Sequence, residues 1–436
     1  MKKTIHKFNY CIFSGLFVFG SLLCIDNHHF YRASNFFSVY QEPRFEECWL
    51  ASFDVTLGAG ATHKSERKSD RCEKCSPLLD ICGLYDMQAL AYDLPCKSLT
   101  NPVDLALIDL SLVPERGCFA NLSYHGQFTI AEANFFYTQN FNHGVFFQLH
   151  FPVRYMKISE VYFKDLSPQD SIYPNINTPE WQTFLKLYPA PFAERFNLNL
   201  CGTHFTDIGD TSFLLGWTRN YEDTEVVDFL DFTLRFGVLT PTGRKANPNI
   251  VFDLPSGYNG HVGIPMTFDL ALGSYEWLTV GLHLGVMPFA SNIQKIRVKT
   301  AIQQTGLIKL DTICAKVHEG VLWDATGYVK ADHFCHGLSF LIGYTYANKK
   351  ANTFTQLDCH NNPVPNSSVQ CFNQCDLVNS GWSIQTVQLL LEYDFRRNCP
   401  TTPRLGFYFD YPVAGHHIFK TPMAGGTGGI DFSVRF

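Results

Sequence analysis

Period-two alternation runs through this chain more insistently than any other pattern. Leu405, Phe407, Phe409 and Tyr411 alternate with Arg404, Gly406, Tyr408 and Asp410, and Val387, Leu389, Leu391, Tyr393 and Phe395 with Gln388, Glu392, Asp394 and Arg396. The same phase holds in Phe147, Leu149, Phe151, Val153 and Tyr155, in Leu230, Phe232, Leu234 and Phe236, in Val280, Leu282, Leu284 and Val286, and in Phe340, Ile342, Tyr344 and Tyr346. Successive side chains of a strand point to opposite faces, so each segment has one apolar and one polar face. Of the 436 residues, 46% are hydrophobic and 15% aromatic, but only 17% are charged, against about 25% in an ordinary soluble chain. Beyond the N-terminus no uninterrupted apolar run reaches the ~18 residues of a membrane helix. The net charge of −6 gives no general pull toward nucleic acid.

Strands are expected at 48–60, 118–138, 144–164, 208–222, 226–240, 260–273, 277–292, 320–332, 337–350, 382–396, 404–413 and 427–436. Short links at 140–144, 223–225, 274–276, 333–336 and 398–403 alternate with long ones at 61–117, 165–207, 241–259, 293–319, 351–381 and 414–426. A soluble sandwich has no reason to keep that order. An outer-membrane barrel does, with short periplasmic turns on one rim and long extracellular loops on the other. The expected fold is all-β, an antiparallel transmembrane barrel of about twelve strands over 48–436, both termini periplasmic, in the bacterial outer membrane. Tyr155, Trp217, Trp277, Trp323, Tyr346 and Tyr411 are placed for interfacial girdles. Ala424-Gly425-Gly426-Thr427-Gly428-Gly429 reads as a flexible entry to the last strand.

Basic Met1–Lys7 followed by apolar Phe8–Ile25 reads as a secretory signal, with cleavage near Ala33 and a periplasmic segment over 26–47. Cys11 and Cys24 fall in that signal. The remaining cysteines are an odd number in an exported chain, so most are expected in disulfides, with one left for an intermolecular link. Cys72, Cys75, Cys82, Cys96, Cys118, Cys201, Cys314, Cys359, Cys371 and Cys375 map to the outer side, and Cys48, Cys335 and Cys399 to the periplasmic rim. Cys72-x-x-Cys75 with Cys82, and Cys359-His360 with Cys371 and Cys375, have zinc-like spacing. Oxidation is the simpler fate outside the cell, and neither metal nor cofactor is expected.

The last ten residues, with Ile430, Phe432, Val434 and Phe436 in phase and a terminal aromatic, resemble the C-terminal signal of bacterial outer-membrane barrels. That resemblance implies the barrel-assembly machinery as a partner. Gly209-Asp210 ahead of one strand and Pro241-Thr242-Gly243-Arg244 after the next resemble a pattern in outer-membrane transport barrels of the phenol-degradation type, which implies transport.

The polar faces carry both signs. His150, Arg154, Asp231, Arg235, Asp269, His283, Asp324, Lys330, Glu392, Asp394, Arg396, Asp410, Asp431 and Arg435, with Asp54 on the first strand, are the expected lumen-lining residues. A polar interior is what an aqueous channel requires, and the expected function is passive diffusion or uptake of small polar solutes. The alternative is a closed-lumen structural or adhesive envelope protein with disulfide-braced loops. Expected partners are outer-membrane lipid, small polar solutes, and disulfide-linked or homo-oligomeric neighbours. Enzymatic barrels need a Ser–His–carboxylate or Ser–His–Asn set near the outer rim. His204 with Asp207 and Asp210, and His416-His417, are the local candidates for a hydrolase; no serine motif accompanies them, so no enzyme is expected.

Overall fold

The computed structural model describes residues 50–69, 72–92, 100–113, 119–167, 179–222, 228–274, 277–299, 304–335, 337–358, 381–395 and 403–433. The expected signal and N-terminal segment, and Arg396, Val434, Arg435 and Phe436, lie outside the described residues.

Twelve antiparallel strands form a closed barrel: β1 (Leu50–Thr62), β2 (Asn121–Asn140), β3 (Val145–Asp165), β4 (Thr211–Glu222), β5 (Phe229–Thr240), β6 (Met266–Ser274), β7 (Leu278–Met287), β8 (Leu322–Cys335), β9 (Leu338–Lys349), β10 (Trp382–Asp394), β11 (Pro403–His416) and β12 (Met423–Ser433). Each pairs with its neighbours in the chain. The ring closes where β1 meets β2 on one side and β12 on the other, in register from Leu50 opposite Ser433 to Gly60 opposite Met423. Short and long links alternate around it as far as β11, but the last link, expected over 414–426, is only 417–422, because β11 and β12 extend into it.

The glycine run is strand rather than loop: β12 starts at Met423 and runs through it. Small residues are needed there for space. A Cβ on Gly429 would collide with the Asp54 carboxylate of the neighbouring strand. With that space open, Arg404 on β11 reaches across β12. Its Nη2 donates to Asp431 at 3.2 Å and to Asp54 at 2.8 Å, so one guanidinium ties the first, last and penultimate strands together.

Burial alternates along the strands. Outward side chains are large and apolar: Leu215, Leu405 and Phe407 leave more than half their surface uncovered, and Phe213, Phe236, Leu284, Ile342, Leu391 and Ile430 are exposed beside them. Inward positions are buried, and at mid-barrel they are largely polar, among them Thr218, Thr233, Thr326, Thr345, Thr386 and Gln388.

The long links build a layer over one rim. Lys64–Ser69 and Cys72–Pro77 form a hairpin joined by Ile418–Phe419. Asn292–Val298, Asp311–His318 and Thr353–Gln356 form a second small sheet over its own core of Ile296, Val298, Ile313, Val317 and Phe354. Helices α1 (Met87–Tyr92), α2 (Pro102–Leu112), α3 (Pro179–Leu187) and α4 (Ala190–Arg195) lie in the first two long links. Asn101 caps α2 by accepting from the Val103 amide, with Pro102 at the first helical position. Leu78, Leu107, Trp181, Phe184 and Phe252 join Phe128 and Ile130 of the barrel wall in one apolar core.

Arg404→Leu leaves Asp54 and Asp431 without their cation. Removing one partner of a buried pair costs about 3–5 kcal/mol, so the urea midpoint of the lipid-embedded barrel should fall sharply. Adding Asp54→Asn and Asp431→Asn should recover most of the loss.

Candidate functional site

Four adjacent strands bring one charged chain together on the inner wall. Arg235 on β5 pairs with Asp269 on β6. Asp269 Oδ1 lies 2.6 Å from His283 Nδ1 on β7, and His283 Nε2 lies 3.1 Å from Asp324 Oδ2 on β8. The antiparallel register sets Arg235 opposite Thr267, two residues from Asp269 on the same face, and places Asp269 directly opposite His283. His283 and Arg235 are buried. A histidine with a carboxylate on each ring nitrogen is fixed in orientation.

Elsewhere on the wall Arg154 Nε lies 3.5 Å from Glu132 of β2. His150 Nε2 lies 3.2 Å from Asn134 Oδ1, and Lys330 Nζ lies 3.7 Å from Asp332. Asp231, Glu392, Asp394, Asp410 and Asp431 occupy inward positions of their strands. Hydroxyl pairs fill the gaps: Thr218 with Thr233 at 2.9 Å, and Thr326 with Thr345 at 2.7 Å, which in turn donates to Gln388. Sequence reasoning missed Glu132 and the bridging role of Arg404, although both stand in the inward phase of their strands.

At the mouth, the strand facing β3 is interrupted. Thr203–Ile208 pairs with Val153–Ile158 and β4 with Val145–His150, leaving Gly209, Asp210 and Thr211 opposite Phe151 and Pro152. Such a bulge re-aims a side chain. Here it sends the buried Asp210 carboxylate to the link after β5, where it accepts from Gly243 N at 2.8 Å and Tyr258 N at 2.6 Å. Gly257 has no side chain because a Cβ there would strike that carboxylate. Thr242 Oγ1 donates to Gly209 O at 2.7 Å, Arg244 pairs with Asp253 at 2.7 Å, and Arg154 Nη1 donates to Ser256 O at 2.6 Å. The two short motifs singled out in the sequence are therefore halves of one lock, which holds the 241–263 segment in the mouth. A second anchor lies at the rim, where buried Lys349 pairs with Glu319 and His261 Nε2 lies 3.6 Å from it.

Several expected arrangements do not form. Cys75, Cys201 and Cys314 carry free, exposed thiols rather than disulfides; Cys75 and Cys314 sit on separate strands of the outer layer, and Cys201 in the link before Thr203–Ile208. Cys82 is buried in the apolar core. Cys72 and Cys75 share one strand, so their Cα atoms are about 10 Å apart at ~3.3 Å per residue, beyond the ~7 Å a disulfide spans. Cys48, Cys96, Cys118, Cys359, Cys371, Cys375 and Cys399 lie outside the described residues, as do the side chains of Cys72 and Cys335. His204 and Asp207, three apart on a strand, point to opposite faces. Asp210 is committed to the lock, and His417 Nδ1 lies 3.1 Å from Gly381 O.

Closure without edges, an apolar outer belt and a polar inner wall belong together in only one solvent, because backbone amides in lipid must be satisfied internally. Trp217, Trp323 and Tyr411 are exposed on the outside, and Trp277 is exposed just before β7. The even strand number and the short-link and long-link rims complete the pattern. The chain is an outer-membrane β-barrel. No family model and no curated relative matches its sequence. Solved structures resemble it remotely. An outer membrane channel from Pseudomonas putida F1 aligns at 9% identity over 90% of this chain and 100% of that one, with a TM-score of 0.46. A FadL homologue from Pseudomonas aeruginosa aligns at 8% identity over 88% and 90%, with a TM-score of 0.32. The toluene transporter TbuX from Ralstonia pickettii aligns at 8% over 88% and 89%, with a TM-score of 0.30.

Asp210→Ala leaves two amides without their acceptor, at about 1–3 kcal/mol each. Hydrogen exchange over 243–258 should accelerate by ten- to a hundredfold while the barrel strands keep their protection.

In the outer layer, Asp80 accepts from Ser123 Oγ at 2.5 Å and Tyr124 N at 2.8 Å. Burial pushes its carboxyl up to about 6, against the pull of those two bonds and of Arg67. The docked link thus holds a proton that the undocked one releases, so docking strengthens as pH falls from 6 toward 4, and that gain is lost above 6. Protection factors over 78–91, corrected for the intrinsic pH dependence of amide exchange, should be higher at pH 4.5 than at 7.5, and Asp80→Asn should abolish the difference.

Proposed function

We propose that this barrel is an outer-membrane channel for small polar solutes, opened when the 241–263 segment leaves the mouth. The observation that carries the reading is a charged inner wall beneath a segment seated at the mouth. Charged and hydroxyl groups share the inward positions with Tyr328, Leu341, Leu390 and Tyr408, while the segment is held by the Asp210 carboxylate, the hydrogen bonds around it, and the burial of Phe252, Leu254 and Tyr258. An apolar core sealing the lumen along its length would serve a scaffold; ionised groups there serve passage. Twelve strands enclose a lumen wider than the eight that side chains fill and narrower than a sixteen-stranded porin, which sets the solute class as small. Carboxylates outnumber cations among the inward residues of the described wall, so a mild preference for cations accompanies passive diffusion.

Planar-bilayer recording of the refolded chain tests this. Discrete conductance steps are expected, with an open fraction raised several-fold by Asp210→Ala and a reversal potential on the cation side in a salt gradient. Silence from both proteins, with folded barrel verified in the same membrane, overturns the channel and leaves the closed-lumen envelope protein, whose buried mid-lumen residues already suit that role.

A further inference from the structure

The outer belt is not uniform. Between β4 and β7 it is indented by a groove of about 660 Å³. Strand register explains its shape. Trp217, Leu234, Phe268 and Leu284 stand in one cross-strand row, and Leu215, Phe236, Met266 and Val286 in the next. Between these two ridges runs the row of Gly216, Arg235, Thr267 and Gly285. Those residues belong to the inward phase, and Arg235 turns its guanidinium to Asp269, so the outer face of this row presents backbone and forms a floor. Rows of one face are about 6.7 Å apart along a strand, the width of a slot for a single hydrocarbon chain.

The groove has a length as well as a width. Val145 on β3 extends the first ridge beyond Trp217; at β8 that ridge ends on Ala325, the partner of Leu284. Four strand spacings of about 4.8 Å give roughly 19 Å. One leaflet contributes about half of a ~30 Å hydrocarbon core, so an inclined acyl chain of ordinary length fits the groove end to end. No ionised group opens onto it, and its walls are continuous with the lipid-facing belt.

We propose that this groove is a binding site for one acyl chain of a membrane lipid, held longer and with more length selectivity than the lipid passing over the rest of the barrel. Trp217 in the first ridge is a built-in reporter. Full-length protein in vesicles of chain-brominated phosphatidylcholine, diluted with unbrominated lipid of varied chain length, gives the preference at that position as the quenching lost on Trp217→Phe. Phe407→Trp, at an exposed belt position on β11, supplies the reference as quenching gained.

The expected result is at least a threefold preference at Trp217 for chains of about sixteen carbons, the length suited to an ordinary ~30 Å core, over chains of about twenty-two, with none at the reference. Phe236→Ala, which lowers the second ridge without touching the floor, should bring Trp217 to the reference value. Equal preference at both positions overturns the site. Absence of quenching at Trp217 by any lipid also overturns it, because a second copy of the chain then covers the groove.

Discussion

Everything in this molecule follows from a ladder of backbone hydrogen bonds that must close on itself. An unpaired amide in hydrocarbon costs several kcal/mol, and a sheet with two edges would expose a row of them. The seam where β1 meets β12 is thus the most demanding place in the fold, and the local sequence is adapted to it. Glycines in β12 let the neighbouring backbones and the Asp54 carboxylate approach, and Arg404 binds carboxylates on both sides of the seam. Small side chains and one shared cation do at the seam what a hairpin turn does at the strand pairs joined by short links.

Closure then divides the side chains. With lipid outside, the period-two pattern fixes which residues meet hydrocarbon and which meet the lumen, and a one-residue slip would exchange the two sets. The inner wall accordingly collects the charged residues of an ion-poor chain. Their pairing is not decorative: an isolated buried charge is costly, and the Arg235–Asp269–His283–Asp324 chain spreads its charges over four strands so that each meets its opposite. Such pairs constrain register as strongly as they stabilise, since they are made only when the strands are aligned as observed.

That division explains what was legible in the sequence. Alternation gives the twelve strands, their phase and the order of short and long links, because lipid on one face and water on the other enforce it residue by residue. It fails where that constraint stops. The outer layer is an ordinary small-protein core built from segments far apart in the chain, such as Leu78, Trp181 and Phe252, and no local period announces such contacts. Helix α2 carried a readable start in Asn101-Pro102, but it is apolar around most of its circumference and shows no amphipathic stripe. The glycine run misled because glycine usually marks turns; at a crowded seam it marks close approach. Cysteine arithmetic set an expectation of pairing and of side but not of partner, and Cys75, Cys201 and Cys314 stand on separate segments. Gly209-Asp210 and Pro241-Thr242-Gly243-Arg244 were visible as motifs, while their meeting through a bulge was a fact of three dimensions.

The mouth and the wall are one electrostatic system rather than a gate placed on a tube. Arg154 is the link: it stands on the inner wall beside Glu132, and it also donates to the carbonyl of Ser256 in the obstructing segment. While the segment is seated, that guanidinium is divided between a carboxylate of the wall and a carbonyl of the plug. In the proposed channel, departure of the segment would return that cation to the lumen, where water or an anion would take the place of the carbonyl. Arg154 would then tie the state of the mouth to the charge inside without a separate sensor, because the residue that holds the segment in place is itself part of the inner wall.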